Sequence, residues 1–195
     1  HTQTNNKKTK GRDMFFHDPE RTLATFDSGQ MVGTISVNGR AMAVPGSTLP
    51  TSAVSTVMVL PTHTRQGIMT CMIDQQIRDA HDRGEVLACL FASDTRIYGR
   101  FGFGIPCFVE DWSIKRHDTA FLNPVSNEGS FNLIEPDKAI EHFTKIYDAV
   151  WSSRPGMMNR TPRWMKFALA DTLDHIGGTT ELFHVIYEIG GVEQG

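Results

Sequence analysis

One stretch of the sequence, residues 53–92, decides the fold: it reads AVSTVMVLPTHTRQGIMTCMIDQQIRDAHDRGEVLACLFA. Ala53–Leu60 is largely apolar and β-branched, a pattern typical of a strand buried on both faces. Gly67–Arg83 changes to a helical period, and Gly84 follows as a helix stop. Val86–Ala92 is a second apolar run of strand length. This order of strand, helix and strand is a βαβ-like unit, which favours a mixed α/β fold.

The residues before this unit predict a hairpin followed by a loop. Arg21–Asp27 and Gln30–Val37 have strand character, and Ser28-Gly29 between them is a turn signal. Asn38–Ser52 is rich in Gly, Pro and Ser and is predicted to be mostly loop, with a short strand at Arg40–Val44 as an alternative. We therefore expect one antiparallel hairpin ahead of the βαβ-like unit.

The residues after the unit predict two helices and few strands. Phe108–Ile114 and Phe131–Ile134 are strand candidates, and Leu182–Ile189 is the last one. Pro136 opens an amphipathic helix, and Thr161-Pro162 opens another. The C-terminal part is therefore expected to hold two helices on a small set of strands.

Composition narrows the class of protein. Of the 195 residues 39% are apolar and 21% are charged, as in a globular chain. No apolar run approaches the roughly 18 residues of a membrane helix, so no membrane partner is expected. Lys and Arg number 19 against 22 Asp and Glu, which disfavours nonspecific nucleic-acid binding. The odd count of 3 Cys favours reduced thiols in a cytoplasm, and the absence of closely spaced His or Cys predicts no metal site.

The first candidate site is the tetrapeptide Thr64–Gly67, which lies between the buried strand and the helix. Successive backbone N–H groups at such a junction, together with the helix dipole, can bind an anion. Gly67 allows a close backbone approach, and Arg65 can add a charged contact. Taken alone, the tetrapeptide fits a plain strand-to-helix turn better than an anion site, because a single glycine is a weaker signal than a P-loop motif.

The second candidate site is Tyr98, at the end of a short helix that Ser93 or Asp94 would cap. A phenol in a cleft can deliver a proton to a leaving thiolate. The alternative is a half-buried tyrosine whose hydroxyl is hydrogen-bonded at the surface. His63 is a candidate base, but a histidine just before such a loop more often caps or packs.

Together these motifs resemble the acetyl-CoA-binding core of the GNAT N-acetyltransferases, and more closely the enhanced intracellular survival (Eis) branch of that superfamily. The resemblance is strong over residues 53–114 and extends weakly back to Arg21. Residues 132–189 resemble the opening of a second GNAT-like domain. The motifs that carry the match are Val59–His63 (VLPTH), Arg65–Gly67 (RQG), Ala92-Ser93 and Ile97–Gly104 (IYGRFGFG).

The resemblance implies the GNAT acyl-CoA N-acyltransferase fold, a mixed twisted sheet with flanking helices, followed by the start of a second such unit. It also implies a role for each matching residue. Thr64 and Met69 depart from the residues that are usual in the family. The implied cofactor contacts are Val57, Met58 and Val59 for the pantetheine arm, Arg65, Gln66, Gly67, Ile68, Met69 and Thr70 for the pyrophosphate, and Ser93 and Asp94 beside the cofactor. Tyr98 would be the general acid that protonates the departing coenzyme A thiolate.

The implied activity is transfer of an acetyl group from acetyl-CoA to a primary amine by direct attack, with an aminoglycoside- or polyamine-like acceptor. The family also implies a homo-oligomer. The alternative from another class is a non-catalytic acyl-CoA-binding or assembly module. Against the family pattern the chain looks truncated at both ends, and we expect a flexible lead at 1–13, an acetyl-CoA-binding domain at 14–116, a linker at 117–130 and a partial second GNAT-like domain at 131–195.

Overall fold

The computed structural model describes residues 18–108, 110, 112–123, 128–169 and 183–195. These residues form two β-sheets with helices packed against them. The strands and helices are, in chain order, β1 (Thr22–Asp27), β2 (Gln30–Val44), β3 (Ser47–Val59), α1 (Ile68–Asp82), β4 (Leu87–Leu90), α2 (Thr95–Tyr98), β5 (Ser130–Ile134), α3 (Pro136–Val150), α4 (Pro162–Ala168), β6 (His184–Ile189) and β7 (Val192–Glu193).

The first sheet has the strand order β1-β2-β3-β4. β1, β2 and β3 are antiparallel neighbours, whereas β4 runs parallel to β3 and is reached through α1. This confirms the βαβ-like unit and the mixed fold class. The helix predicted over Gly67–Arg83 is confirmed within one residue at each end, and Gly84 follows it with a positive φ of 71°.

The loop predicted over residues 38–52 is wrong. β2 continues to Val44, a turn at Pro45-Gly46 reverses the chain, and β3 begins at Ser47. The polar residues that suggested a loop are satisfied inside the sheet. Thr51 is fully buried and its hydroxyl donates to the carbonyl of Leu49 at 3.0 Å. A hydroxyl with such a local acceptor can be buried in a strand without an unsatisfied polar group.

α1 lies close over the first sheet because β2 has a glycine beneath its first turn. A Cβ at Gly33 would lie 2.9 Å from Ile68 Cγ2 and 3.2 Å from Met72 Cε. Ile35, Met72 and Ile73 form the buried centre of this contact. The glycine therefore fixes how closely the start of the helix approaches the strands.

A buried ion pair lies at the other end of the first sheet, where β1 begins. The guanidinium of Arg21 donates to both oxygens of Glu85, at 2.7 and 2.6 Å. The Ser52 hydroxyl donates to the same carboxylate, and Gln76 donates to the Arg21 carbonyl at 3.1 Å. Burial alone raises the pKa of Glu85, but the hydrogen bonds from Arg21 and Ser52 outweigh it and lower that pKa. The pair ties the start of β1 to the segment that follows α1.

Two predicted strands differ from the structure. The strand predicted over Val86–Ala92 is shorter, since only Leu87–Leu90 pairs with β3. The strand predicted over Phe108–Ile114 is wrong for the residues described there, none of which lies in a strand. Phe108 and Trp112 are strongly exposed. Residues with high strand propensity form a strand only where a neighbouring strand pairs with their backbone. Among the described residues, no strand pairs with this segment.

The second sheet has the order β5-β6-β7 with antiparallel pairing. The most buried apolar residues of this part of the chain are Ile186 in β6, Ala139 in α3 and Met165 in α4. The strand at 131–134 and both helix starts are confirmed, and β7 is an addition that the sequence pattern does not show. Leu182, the predicted start of the last strand, lies outside the described residues.

The C-terminal elements attach to the first sheet through one extended segment. Ala43 N–H donates to the Met157 carbonyl, and Gly156 N–H donates to the Ala43 carbonyl, both at 2.8 Å. Asn159 N–H donates to the Ala41 carbonyl at 2.9 Å. The segment thus pairs with the part of β2 that extends beyond β1.

Candidate active site

The end of β3 is shaped by a β-bulge. Thr34 pairs with Met58, but Ser36 pairs with Ser55, so β3 has one extra residue between these pairs. Thr56 has a positive φ of 46°, and its hydroxyl is 2.5 Å from that of Ser36. A bulge bends its strand and redirects the residues that follow it. The residues redirected here are Val57–Val59.

β3 also extends beyond its parallel neighbour. The pairing with β4 covers only Thr51–Val54 and Leu87–Leu90. Val57–Val59 therefore has a paired edge toward β2, and no strand occupies its other edge within the part of the chain that the structure describes. Such an edge presents backbone N–H and C=O groups that can bind an extended ligand.

The loop between β3 and α1 leaves a cluster of backbone N–H groups free. Arg65 and Gly67 both have positive φ, at 62° and 81°, and Gly67 is the N-cap of the 15-residue α1. The Thr64 hydroxyl donates to the Pro61 carbonyl at 3.1 Å and fixes the loop. The N–H groups of residues 65–70 have no acceptor among the described residues. Helix N-termini of this kind attract anions.

A cavity of about 750 Å³ opens in front of this helix start. Two arginines and one histidine contribute to its wall, and none of the described residues that line it is acidic. The cavity is therefore electropositive. It is lined by Val59, His63, Thr64, Arg65, Gly67, Ile68, Met69, Thr70, Ile97 and Arg100.

A second cavity of about 480 Å³ lies at the end of β2 and β3. Val57, Met58 and Val59 line it together with Met31 and other, mainly apolar residues. Val59 also lines the electropositive cavity. The structure thus brings the predicted pantetheine strand and the predicted pyrophosphate loop together at one residue.

Tyr98 lies at the edge of this arrangement. Its side chain is 8% exposed and packs in the apolar cluster of α1, with its ring edge-on to Phe103 at 6.0 Å between centroids. Burial raises the pKa of Tyr98, so its hydroxyl keeps its proton at neutral pH. The side chain lines neither cavity, although Ile97 and Arg100 on either side of it line the electropositive one.

Besides Tyr98, three predicted site residues lie outside both cavities. Asp94 caps α2, accepting from the Arg96 N–H at 3.0 Å, and pairs with the Arg96 guanidinium at 2.8 Å. The guanidinium bond lowers the pKa of Asp94. Ser93 and Gln66 are exposed and line neither cavity.

One hydrogen-bonded pair at the site, His63 and Asp27, cannot be recognised from the sequence. His63 Nε2 is 3.2 Å from the Asp27 carboxylate, and His63 Nδ1 is 2.8 Å from the Thr62 hydroxyl. His63 lines the electropositive cavity, while Asp27 ends β1, 36 residues earlier. The hydrogen bonds from His63 and Ser28 lower the pKa of Asp27.

Comparison with protein families shows the class of this chain. Residues 2–105 match the acetyltransferase (GNAT) domain. The chain therefore belongs to the GNAT acetyltransferase family. This confirms the resemblance that the motifs from Val59 to Gly104 indicate.

Individual relatives place the chain near the Eis branch. It is 32% identical over 174 residues to an uncharacterized N-acetyltransferase of Streptomyces avermitilis, covering 87% of this chain and 41% of that protein. It is 31% identical over 166 residues to N-acetyltransferase Eis of Mycobacterium bovis, covering 83% and 41%. The crystal structure of Eis1 from Mycobacterium abscessus superposes with a TM-score of 0.70 at 28% identity, covering 92% of this chain and 44% of that one.

The chain spans less than half the length of these relatives. Among the residues that the structure describes, no helix is long and apolar enough to cross a bilayer. The same residues contain no group of three or more His, Cys, Asp or Glu side chains placed to hold a metal ion.

Proposed function

We propose that this protein transfers the acetyl group of acetyl-CoA to a primary amine. The observation that carries the proposal is the set of free N–H groups at residues 65–70, which opens on an electropositive cavity. Membership in the GNAT family supplies the reaction class. We propose an aminoglycoside- or polyamine-like acceptor because of the similarity to Eis.

The residues present fit a diphosphate. The N–H groups lack acceptors among the described residues, and Arg65 and Arg100 add positive charge to the cavity wall. A Cβ built on Gly67 would meet no atom within 4 Å, so the glycine serves the backbone conformation and the space before it is open. We propose that residues 65–70 bind the diphosphate and that the free edge of Val57–Val59 pairs with the amides of the pantetheine arm.

The same residues suggest how the chain would assist the reaction. Acetyl-CoA supplies the thioester, and holding it beside a bound amine provides the proximity that accelerates direct attack. The neutral amine nitrogen forms a bond to the carbonyl carbon while the carbon–sulfur bond breaks, and the nitrogen loses one proton to water, from which the Tyr98 hydroxyl is protonated again. We propose that the Tyr98 hydroxyl donates its proton to the departing thiolate, with Ser93 and Asp94 beside the cofactor.

Two measurements on the same protein test the proposal. Calorimetry measures the binding of coenzyme A, and release of free thiol from acetyl-CoA measures transfer to spermidine, kanamycin and other primary amines. Binding together with amine-dependent thiol release supports the proposal. Binding without release for any amine favours the non-catalytic acyl-CoA module, and absence of binding contradicts both.

A further inference from the structure

The His63–Asp27 pair connects the first hairpin to the wall of the electropositive cavity. His63 sits in the turn Pro61–His63, its side chain is 18% exposed, and it is one of the residues that line the cavity. Asp27 is 62% exposed and also accepts a hydrogen bond from the Ser28 hydroxyl at 3.1 Å. With the Thr62 hydroxyl on its Nδ1, the imidazole has a partner at each ring nitrogen. Its orientation is therefore fixed.

The charged groups around His63 come from three parts of the chain. Asp27 at the end of β1 is the one carboxylate bonded to it, and Arg65 and Arg100 line the same cavity. A histidine changes its charge between about pH 5 and pH 8. The two arginines and a protonated imidazole are partners for an anion, and a bound diphosphate is such an anion.

We infer that His63, held in place by Asp27, is a charge contact for the cofactor diphosphate and makes cofactor binding depend on pH. The inference rests on the proposed function, because it presumes that the diphosphate lies in this cavity. Protonated His63 adds a positive charge beside the N–H groups of residues 65–70. When His63 is neutral, the diphosphate is bound by those N–H groups and the arginines alone. His63 is accordingly a positioning and affinity residue with no part in the proton transfer.

The test uses dephospho-coenzyme A, whose diphosphate keeps a constant charge near neutral pH, so that any change in affinity comes from the protein. Calorimetry at about pH 6 and about pH 8 compares the wild type with His63→Gln, over the range in which a histidine titrates. We expect the wild type to bind about fivefold more tightly at the lower pH, the effect of one nearby positive charge in a partly exposed site, since both ring nitrogens already have partners. His63→Gln should lose this difference.

The matched control is His81→Gln. His81 also pairs with a carboxylate, Asp82 at 3.3 Å, but it is 88% exposed on α1 and lines neither cavity described above. This variant should keep the wild-type pH dependence. Asp27→Asn should reduce the difference in affinity between the two pH values, because it removes the carboxylate that holds the His63 ring in place.

The outcomes separate this inference from the proposed function. If the wild type fails to bind dephospho-coenzyme A and coenzyme A at both pH values, the proposed function fails and the inference fails with it. If the wild type binds and His63→Gln keeps the wild-type affinity at each pH, with the same difference between the two pH values, the inference alone is overturned. Thermal unfolding of each variant checks that the fold is intact.

Discussion

At the scale of single residues, Tyr98 carries the proposed chemistry. Its ring is buried against Phe103 and the α1 cluster, and burial raises the pKa of its hydroxyl. We predict that Tyr98→Phe lowers turnover by about 10²–10⁴-fold, the usual contribution of a general acid, while coenzyme A binds as before. Steady-state rates of thiol release and calorimetry on the same preparation check this. Unchanged turnover would remove Tyr98 from the reaction.

The Arg21–Glu85 pair gives a prediction about stability. Glu85→Gln removes the carboxylate that accepts two hydrogen bonds from the buried Arg21 guanidinium and leaves only Asp79, 3.6 Å away, as its charge partner. Breaking a buried pair costs about 3–5 kcal/mol of unfolding free energy in comparable cases, and the remaining Asp79 places the expected loss at the lower end of that range. Arg83→Gln removes an exposed pair with Asp79 at 2.9 Å and should cost less than about 1 kcal/mol. Urea unfolding at neutral pH measures both. Equal losses of unfolding free energy in the two variants would contradict the conclusion that Glu85 stabilises the fold as part of a buried ion pair.

The same pair has a pH dependence with a definite sign. Because the folded pKa of Glu85 is lowered, its contribution to stability is present above the ordinary pKa range of a glutamic acid. It is lost as the pH falls through the lower, folded pKa. We predict that Glu85→Gln narrows the gap in stability between neutral and acidic pH relative to the wild type. Urea midpoints across that range measure the gap, and parallel curves would argue against this linkage.

At the scale of elements, the contact between α1 and β2 depends on Gly33. Gly33→Ala places a Cβ 2.9 Å from Ile68 Cγ2, so either the Ile68 side chain or the first turn of α1 must shift. We predict a loss of about 1–3 kcal/mol in unfolding free energy, typical of overpacking. Gly99→Ala is the control, because a Cβ there meets nothing within 4 Å and its φ of −55° suits any residue. An unchanged unfolding free energy in Gly33→Ala would contradict the close packing of α1 on β2.

The elements differ in how far sequence predicts them. The bounds of α1 follow from a helical period and a glycine stop, both of which are local signals. The loop predicted over residues 38–52 fails because buried hydroxyls such as that of Thr51 are satisfied by partners that composition does not show. The strand predicted over Phe108–Ile114 fails in its described residues because a strand depends on its neighbour. Local pattern thus predicts helices better than strands.

In the candidate site, too, the features that a local motif specifies are predictable and those that depend on distant residues are not. The loop of Arg65 and Gly67 is recognisable because a short motif specifies a backbone conformation. The bulge at Thr56 and the pairing of His63 with Asp27 depend on contacts between residues far apart in the sequence. The partners of Arg21 are likewise 31 to 64 residues away. The sequence around each of these residues does not indicate which distant residue is its partner.

At the scale of the whole molecule, we propose the division into a cofactor domain at 14–116, a linker at 117–130 and a second GNAT-like unit at 131–195. Phe121 and Leu122 in the linker are strongly exposed. We predict that brief chymotrypsin treatment cleaves first near these residues. The two fragments should stay together in gel filtration, because Ala43 and Met157 are joined through backbone hydrogen bonds. First cleavage inside α1 or β3 would contradict the division.

We also propose that the protein self-associates, as the family resemblance implies. Phe131 and Leu133 on one face of the second sheet are about 70% exposed, and an apolar face of this kind favours association. Sedimentation velocity should show a species larger than 21.8 kDa. A single monomeric species over the accessible concentration range would contradict this proposal.

The central claim is that a diphosphate binds the backbone at the start of α1, and two matched glycine variants test it most directly. Gly67 and Gly46 have nearly the same positive φ, 81° and 79°, and a Cβ at either meets nothing within 4 Å, but only Gly67 lines the cavity. Replacing either with alanine imposes the same backbone strain, about 1 kcal/mol. We predict that Gly67→Ala weakens coenzyme A binding by tenfold or about 1.4 kcal/mol, while Gly46→Ala binds like the wild type. Equal affinities for the wild type and both variants would contradict the claim.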